Sequence, residues 1–190
     1  MKMKNKAFDI RAYPFTESDC ILPDSNFWLN TFGPTSSASN RSRNAVYADA
    51  LARMIAAKSV LVFEVLVFSE IVNVWAREEF NVNYRGVYGT RGFKRFRNSP
   101  DFLQVASVIA TECRKIERLC IRRDHPFSEW DFKQIVDDYS TGGKDVNDQL
   151  LVEVAKKHGD ALLTDDGDLT EGGITLLTAN PRLLQACPSN

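Results

Sequence analysis

Acidic residues that could hold a metal ion occur in four separate stretches of this chain, each bordered by apolar residues that belong in a core. The stretches read I-L-P-D-S-N around Asp24, F-S-E-I-V-N around Glu70, D-V-N-D-Q-L-L around Asp148 and L-L-T-D-D-G-D-L around Asp166. Carboxylates that a fold brings together repel one another, and a divalent cation such as Mg²⁺ removes that repulsion. The four stretches together therefore favour a metal-dependent hydrolase.

Two of the four acids also have an ordinary structural explanation. Asp148 falls in the first turn of a predicted helix, with Asn147 or Asp145 as its cap, and Glu70 follows Ser69, the predicted cap of another helix. Helix N-termini attract carboxylates because their free N–H groups and the helix dipole stabilise negative charge. Helix capping therefore remains an alternative to metal binding at each of these two positions taken singly.

The other acids are harder to explain in this way. Asp24 stands between apolar residues at the end of a predicted core strand, and Asp165, Asp166 and Asp168 place three acids within four residues after another. A solvated turn accounts for one or two of these charges. Three of them leave a local excess that a cation would relieve.

Strands and helices alternate along the chain, which predicts an α/β fold, a three-layer sandwich with a central parallel sheet and helices on both faces. The predicted strands are Cys20–Pro23, Val60–Phe63, Ala161–Thr164 and Ile174–Leu177, with a short edge strand around Phe8–Tyr13. The predicted helices are Asn44–Lys58, one that begins around Val67, Phe102–Leu119, Pro126–Tyr139, Asp148–Lys157 and Pro181–Leu184. Ligands of such sheets bind beyond the carboxyl ends of the strands, so the acids after the first and third core strands should share one edge.

The length of 190 residues suits one domain. We predict an N-terminal extension over residues 1–19 and a single domain over residues 20–190, with an irregular basic and aromatic insertion at about 80–100. No apolar segment is long enough to span a membrane, and none follows the basic N-terminus as a secretory signal would. The four cysteines form no C-x-x-C pair. We therefore expect a cytoplasmic protein with reduced thiols and no membrane partner.

The ordered set of acidic motifs resembles the PIN-domain nucleases. The resemblance spans about residues 20–185 and rests on D-S-N after the first strand, S-E-I-V-N, N-D-Q-L-L-V, L-L-T-D-D-G-D-L and the closing I-T-L-L-T-A-N-P-R-L-L. It implies a compact α/β sandwich that cuts single-stranded RNA with Mg²⁺ or Mn²⁺. Many members are toxins of bacterial toxin–antitoxin pairs, so it also implies a cognate antitoxin and a homodimer. The extension and the insertion make this chain longer than the compact toxins.

Carried over residue by residue, the resemblance assigns roles to nine positions in this sequence. The catalytic residues it implies are Asp24, Glu70, Asp148 and Asp166. These four residues, together with Asp165 and Asp168, are its candidate metal ligands. The residues that would support the metal site are Ser25, Asn26 and Thr164.

The insertion at about 80–100 carries cations and aromatic residues without a regular period, which predicts a long loop or an irregular helical insertion. Residues 77–97 hold six Lys or Arg against two Glu, whereas residues 124–171 hold thirteen Asp or Glu against four Lys. Cations can hold phosphates while aromatic faces stack on unpaired bases. The alternative is a solvated surface with aromatics packed onto the domain. The predicted RNA-binding residues are Arg85, Arg91, Lys94, Arg95 and Arg97, interleaved with Tyr84, Tyr88, Phe93 and Phe96.

Two other classes of function compete with a nuclease. The first is a catalytically inactive protein of the same fold that binds RNA or a protein partner. The second is a phosphate-handling α/β enzyme such as a phosphatase, although D-S-N-F-W after the first strand lacks the D-x-D-x-T pattern. His125 and His158 are the only histidines, and neither suits a histidine-based mechanism.

Overall fold

A parallel sheet with helices on both faces forms the centre of the molecule, as the alternating pattern predicts. The computed structural model describes residues 3–33, 41–142 and 145–189. The strands are β1 (Lys6–Asp9), β2 (Cys20–Pro23), β3 (Val60–Glu64), β4 (Ile121–Arg123), β5 (Ala161–Leu163) and β6 (Thr175–Thr178). Their order in the sheet is β1-β6-β5-β2-β3-β4, and every neighbouring pair is parallel.

Helices connect these strands and complete the three-layer sandwich. The helices are α1 (Ser25–Phe32), α2 (Arg41–Ala56), α3 (Val65–Glu79), α4 (Arg85–Tyr88), α5 (Phe93–Arg97), α6 (Pro100–Leu119), α7 (Phe132–Ser140), α8 (Val146–His158) and α9 (Pro181–Ala186). A π-helical turn follows α3 at Phe80–Tyr84, and a short 3-10 turn spans Phe127–Glu129. Gly159 ends α8 with a left-handed φ of 71°, which a glycine adopts without steric cost.

The central strands are short apolar runs because both faces of the sheet are covered. Ile21 and Leu22 on β2 and Leu162 and Leu163 on β5 are fully buried, as expected for parallel strands between two helical layers. The four predicted core strands are confirmed. Strand β4 was not predicted, because its sequence I-R-R lies exposed at the sheet edge and lacks an apolar pattern.

The N-terminal segment contributes to the sheet. Strand β1 pairs with β6 along its whole length, and Ala7 and Ile10 are buried in the core. Residues 6–10 are therefore part of the domain. Of the extension predicted over residues 1–19, the part that the structure bears out is the short edge strand. That strand begins at Lys6, two residues before its predicted start.

The insertion folds as helices around a buried phenylalanine. Phe96 on α5 is fully buried, and its aromatic neighbours are Phe80, Tyr84, Tyr88, Phe93 and Phe102. Of the two structures predicted for this segment, a long loop and an irregular helical insertion, the second is correct. The prediction that these aromatic faces stack on RNA bases is wrong for Phe96, because its ring lies inside the protein.

The predicted helix over 126–139 is also divided in two. Trp130 is extended after the 3-10 turn, and Asp131 caps α7 by accepting a hydrogen bond from Gln134 N at 3.1 Å. Within the described ranges, no helix is both long and apolar enough to cross a membrane. The sequence also predicts a loop over residues 33–40, which are rich in Pro, Ser, Thr and Asn, and a turn at Thr141-Gly142-Gly143. Residues 34–40 and Gly143 lie outside the described residues.

Candidate metal centre

Parallel pairing of β2 with β5 brings two of the acidic stretches together. Pro23 lies opposite Leu163, and Asp24 N donates to Leu163 O at 2.8 Å. Asp24 and Thr164 therefore leave the sheet side by side at its carboxyl edge. The prediction that the acids after these two strands share one edge is confirmed.

Asp24 is held rigidly by four hydrogen bonds. Its Oδ1 accepts from Ser25 N at 2.5 Å and from Ser25 Oγ at 3.2 Å, and its Oδ2 accepts from Asn26 Nδ2 at 2.8 Å and Thr164 Oγ1 at 2.9 Å. Burial raises the pKa of this carboxyl group, while the bonds from Thr164 and Ser25 oppose that shift. The structure thus places all three predicted supporting residues in contact with Asp24.

Glu70 lies in the second turn of α3, which begins at Val65 and is capped by the Glu64 side chain. The prediction that Ser69 caps this helix is wrong, because α3 begins four residues earlier and Glu64 Oε2 accepts the capping hydrogen bond from Leu66 N at 2.6 Å. Since the dipole acts within the first turn, capping no longer explains Glu70. Burial, followed by the charge of Asp24, raises the pKa of Glu70.

Asp148 lies in the first turn of α8, whose cap is Asp145. Burial is the largest cause that raises the pKa of Asp148 to about 7, and the charges of Asp166, Asp24, Asp145 and Glu70 follow in that order. All four carboxylates are therefore close enough to Asp148 to interact with it. We call Asp24, Glu70, Asp145, Asp148 and Asp166 the acidic cluster.

The sequence predicts Asp145 only as a helix cap, not as a member of an acidic site. Its Oδ1 accepts from Asn147 N at 2.7 Å, so the capping role is real. Its charge also raises the pKa values of Glu70 and Asp148. The feature of the sequence that indicates this second role is the position of Asp145 three residues before Asp148, which corresponds to about one helical turn.

Asp166 belongs to the cluster, whereas the other two acids of its turn do not. Asp166 N donates to Thr164 Oγ1 at 3.0 Å, and its charge raises the pKa values of Asp24, Glu70 and Asp148.

Asp165 and Asp168, predicted as metal ligands, have cationic partners instead. Asp165 accepts from Tyr47 Oη at 2.7 Å and from Arg43 at 2.8 Å. Asp168 pairs with Arg182 at 3.0 Å and is largely exposed. These contacts hold the turn in place, and the role of the two residues as metal ligands stays a prediction.

The donor set consists of carboxylate oxygens, which are the ligands that hard divalent cations prefer. Burial, followed by repulsion within the cluster, raises the pKa values of Asp24, Glu70 and Asp148. Among the described residues, however, no group of three or more His, Cys, Asp or Glu side chains is arranged so that it could hold a metal ion as it stands. Cation binding therefore requires side-chain rotation within the cluster. Ser25 Oγ donates to Asp24 Oδ1 at 3.2 Å, and Ser25 also lowers the pKa of Glu70, so its hydroxyl group acts on both carboxylates.

The raised pKa of Asp148 predicts how stability depends on pH without a divalent cation. Between the ordinary pKa of 3.8 and about 7, the native state binds more protons than the unfolded state. The free energy of unfolding should therefore fall as pH rises through this window. After discounting for solvent screening, we expect a loss on the order of 1 kcal/mol between pH 5 and pH 8. Thermal unfolding in EDTA would measure it.

Asp148→Asn is the matched variant for this prediction, because it keeps the side-chain shape and removes the titrating group. The variant should lose most of the pH dependence over that window. An equally steep decline in Asp148→Asn would show that other groups cause it.

The predicted RNA-binding cations follow the C-terminal end of α3, whereas Glu70 lies near its N-terminal end. Ten residues of helix separate Glu70 from Phe80, which corresponds to about 15 Å. Arg85, Arg91, Lys94, Arg95 and Arg97 are exposed. Arg95 donates to Tyr88 O, and Arg97 lies over the rings of Phe93 and Phe102. Their role in RNA binding stays a prediction.

The contacts and positions of the two histidines indicate structural roles. His125 Nδ1 lies 2.5 Å from Glu64 Oε1, and its ring packs edge to face against Trp130. His158 lies in the last turn of α8, where a basic residue suits the helix dipole. Neither residue is among those whose charges act on the acidic cluster.

Comparison with known proteins identifies the family. No curated protein matches the chain. A family model described as PIN domain matches residues 21–174, which run from within β2 to the residue before β6 and include every member of the acidic cluster. The matched segment covers well over half of the 190 residues. The chain therefore belongs to the PIN domain family, whose members are generally nucleases.

Proposed function

We propose that this protein is a metal-dependent endoribonuclease that hydrolyses phosphodiester bonds of single-stranded RNA with Mg²⁺ or Mn²⁺. The observation that carries the proposal is the acidic cluster, in which burial, followed by the charges of four neighbouring carboxylates, raises the pKa of Asp148 to about 7. A protein gains nothing in stability by gathering like charges at one sheet edge. Such a cluster is understandable when its purpose is to bind a cation.

Four members of the cluster are metal ligands in this proposal. Asp24, fixed by its four hydrogen bonds, supplies an oxygen ligand whose position does not depend on the substrate. Glu70, Asp148 and Asp166 supply the remaining carboxylate ligands. When bound, Mg²⁺ would neutralise phosphate charge and lower the pKa of a water molecule. Thr164, which bonds to both Asp24 and Asp166 N, keeps the two strand ends in register.

The direct test is cleavage of an unstructured RNA oligonucleotide that is labelled at one end. We expect cleavage in Mg²⁺ or Mn²⁺, no cleavage in EDTA, and little cleavage of the same sequence in a duplex. Absence of cleavage under all conditions would favour the second candidate, an inactive member of the family that binds RNA or a protein. That candidate has one observation in its favour, since the described acidic side chains need rotation before they could hold a metal.

The exposed cations of the insertion give a separate prediction about RNA binding. Replacing Arg91, Lys94 and Arg95 with glutamine should flatten the dependence of log K on log salt by up to about 2, because single strands lose roughly 0.7 per phosphate contact. Fluorescence anisotropy with labelled RNA between 50 and 200 mM salt would measure the slope. An unchanged slope would exclude this surface from the RNA interface.

The toxin role, a cognate antitoxin and a homodimer are proposals that rest on the resemblance to toxin members of the family. A small neighbouring gene for a DNA-binding protein would support the toxin role. Co-expression with that protein should then abolish cleavage and yield a complex during purification. Size-exclusion chromatography with light scattering would test the homodimer.

A further inference from the structure

A cleft of about 980 Å³ opens beside Asp148 and Asp166. One wall is formed by α7 and α8, and the other by the loop that follows β5. Its apolar lining includes Trp130, Ile135, Val152 and Leu169. The cleft is large enough for a nucleoside, and three members of the acidic cluster, Asp145, Asp148 and Asp166, line it.

The charge of this cleft decides which part of a nucleic acid it could admit. Eight Asp or Glu side chains line it, against Lys156 and Arg182. Those two cations already have acidic partners, since Arg182 pairs with Asp168 and Lys156 with Glu153. Such a cleft repels phosphate groups, whereas a neutral base carries no charge and can enter.

Gln149 supplies an independent sign of a missing ligand. It lies on α8 next to Asp148, lines the cleft and is about nine-tenths buried. Its Nε2 has no hydrogen-bond partner among the described residues. A buried donor without an acceptor is costly, so an arriving carbonyl oxygen would recover that loss.

Trp130, which directly precedes the cap of α7, adds an aromatic surface to the cleft. Its ring is half-buried and packs edge to face on His125, with 4.6 Å between ring centroids. His125 is in turn bonded to the buried Glu64. The indole is thus held in place and provides a face on which an unpaired base could stack.

We propose that this cleft binds one unpaired nucleobase of the substrate next to the phosphate that is cut, with Gln149 Nε2 donating to a carbonyl oxygen of the base. The identity of the ligand rests on the proposed nuclease function. A base in the cleft places its own phosphate outward, at the edge where Asp148 and Asp166 lie. The chemistry favours uracil, cytosine or guanine, each of which has a ring carbonyl oxygen.

The test uses uridine, which has the base but no phosphate and so needs no cation. Uridine added to the full chain in EDTA should shift the NMR signal of the Trp130 indole N–H, which Trp130→Phe identifies. Gln149→Leu should weaken uridine binding about tenfold or more. Removing a buried donor that lacks a partner does not endanger the fold, and Gln149→Met is a second variant of similar size.

Gln134→Leu is the matched control, since Gln134 lines the same cleft but its Nε2 already donates to Asp138 Oδ1 at 3.0 Å. This variant should bind uridine as the wild type does. In Mg²⁺, Gln149→Leu should raise the KM for RNA cleavage about tenfold and leave kcat nearly unchanged.

Wild-type affinity for uridine in Gln149→Leu would overturn the base-binding assignment while leaving metal-dependent cleavage intact. Preferential binding of an arginine-rich peptide in the cleft, weakened by the same substitution, would also overturn it. Uridine binding that depends on Gln149 in a protein without nuclease activity would refute the proposed function alone.

Discussion

Asparagine in place of Asp148 should reduce Mg²⁺-dependent RNA cleavage by about 10³-fold or more. The substitution keeps the side-chain shape but removes the charge of a group that four neighbouring carboxylates influence. Loss of one charged ligand weakens cation binding and the stabilisation of charge that develops on the phosphate. Initial rates with a single-stranded RNA would measure the effect, while circular dichroism confirms that the variant is folded.

Asp24→Asn should cause a similar loss of activity, but with some loss of stability. Asp24 is the acceptor in all four of its hydrogen bonds. In Asp24→Asn the amide nitrogen, which is itself a donor, would face two of the four donor groups. Asp148→Asn lacks this complication and should be more stable than the wild type above pH 7 in EDTA, because repulsion within the cluster falls. Asp148 is therefore the cleaner position at which to separate catalysis from folding.

Asp168→Asn is the control for both variants. Asp168 lies in the same acidic turn as Asp166, but it is exposed and paired with Arg182. The substitution should change the cleavage rate less than about threefold, as is usual for an exposed ion pair. A loss as large as that in Asp148→Asn would mean that the ligand set includes Asp168, as the family resemblance implied.

The largest effect on stability is expected at Arg123. Arg123 pairs with Asp160, whose side chain is fully buried and whose Oδ1 has no hydrogen-bond partner among the described residues. Arg123→Met would leave that carboxylate buried without a counter-charge, which costs about 3 kcal/mol or more. For a domain of this size, the melting temperature should fall by roughly 6–12 °C. Differential scanning calorimetry at pH 7.5 would measure the change.

The adjacent arginine provides the comparison for this prediction. Arg122 lies on the same strand, but its side chain is 80% exposed and 3.8 Å from Glu117. Arg122→Met should therefore change stability by less than about 1 kcal/mol. Adding Asp160→Asn to Arg123→Met should recover part of the loss. Equal melting temperatures for Arg122→Met and Arg123→Met would contradict the role given to the buried pair.

The sequence was most informative where one physical cause controls the pattern. Strands β2, β3, β5 and β6 could be predicted because a buried parallel strand needs a continuous apolar run. Asp24 and Asp166 could be assigned to one edge because parallel strands place their carboxyl ends together. The partners of Asp165 could not be predicted, since Tyr47 and Arg43 on α2 are more than one hundred residues away in sequence.

Local ambiguity explains the other differences. The sequence predicts that α3 begins around Val67 with Ser69 as its cap, whereas α3 begins at Val65. The difference arises because V-L-V-F suits a strand as well as a helix, and only tertiary structure decides between them. Strand β4 has no apolar period, and the aromatics of the insertion fit both a stacking surface and a small core. Asp145 was interpreted as a cap because capping explains an acid before a helix without further assumptions.

Titration with Mn²⁺ by isothermal calorimetry, on the wild type and on Asp148→Asn and Asp168→Asn, is the measurement that decides whether the acidic cluster binds a cation. Our account predicts saturable binding by the wild type and by Asp168→Asn, and at least tenfold weaker binding by Asp148→Asn. Equal affinities in all three proteins, or no binding by the wild type, would show that the gathered carboxylates do not form a metal site.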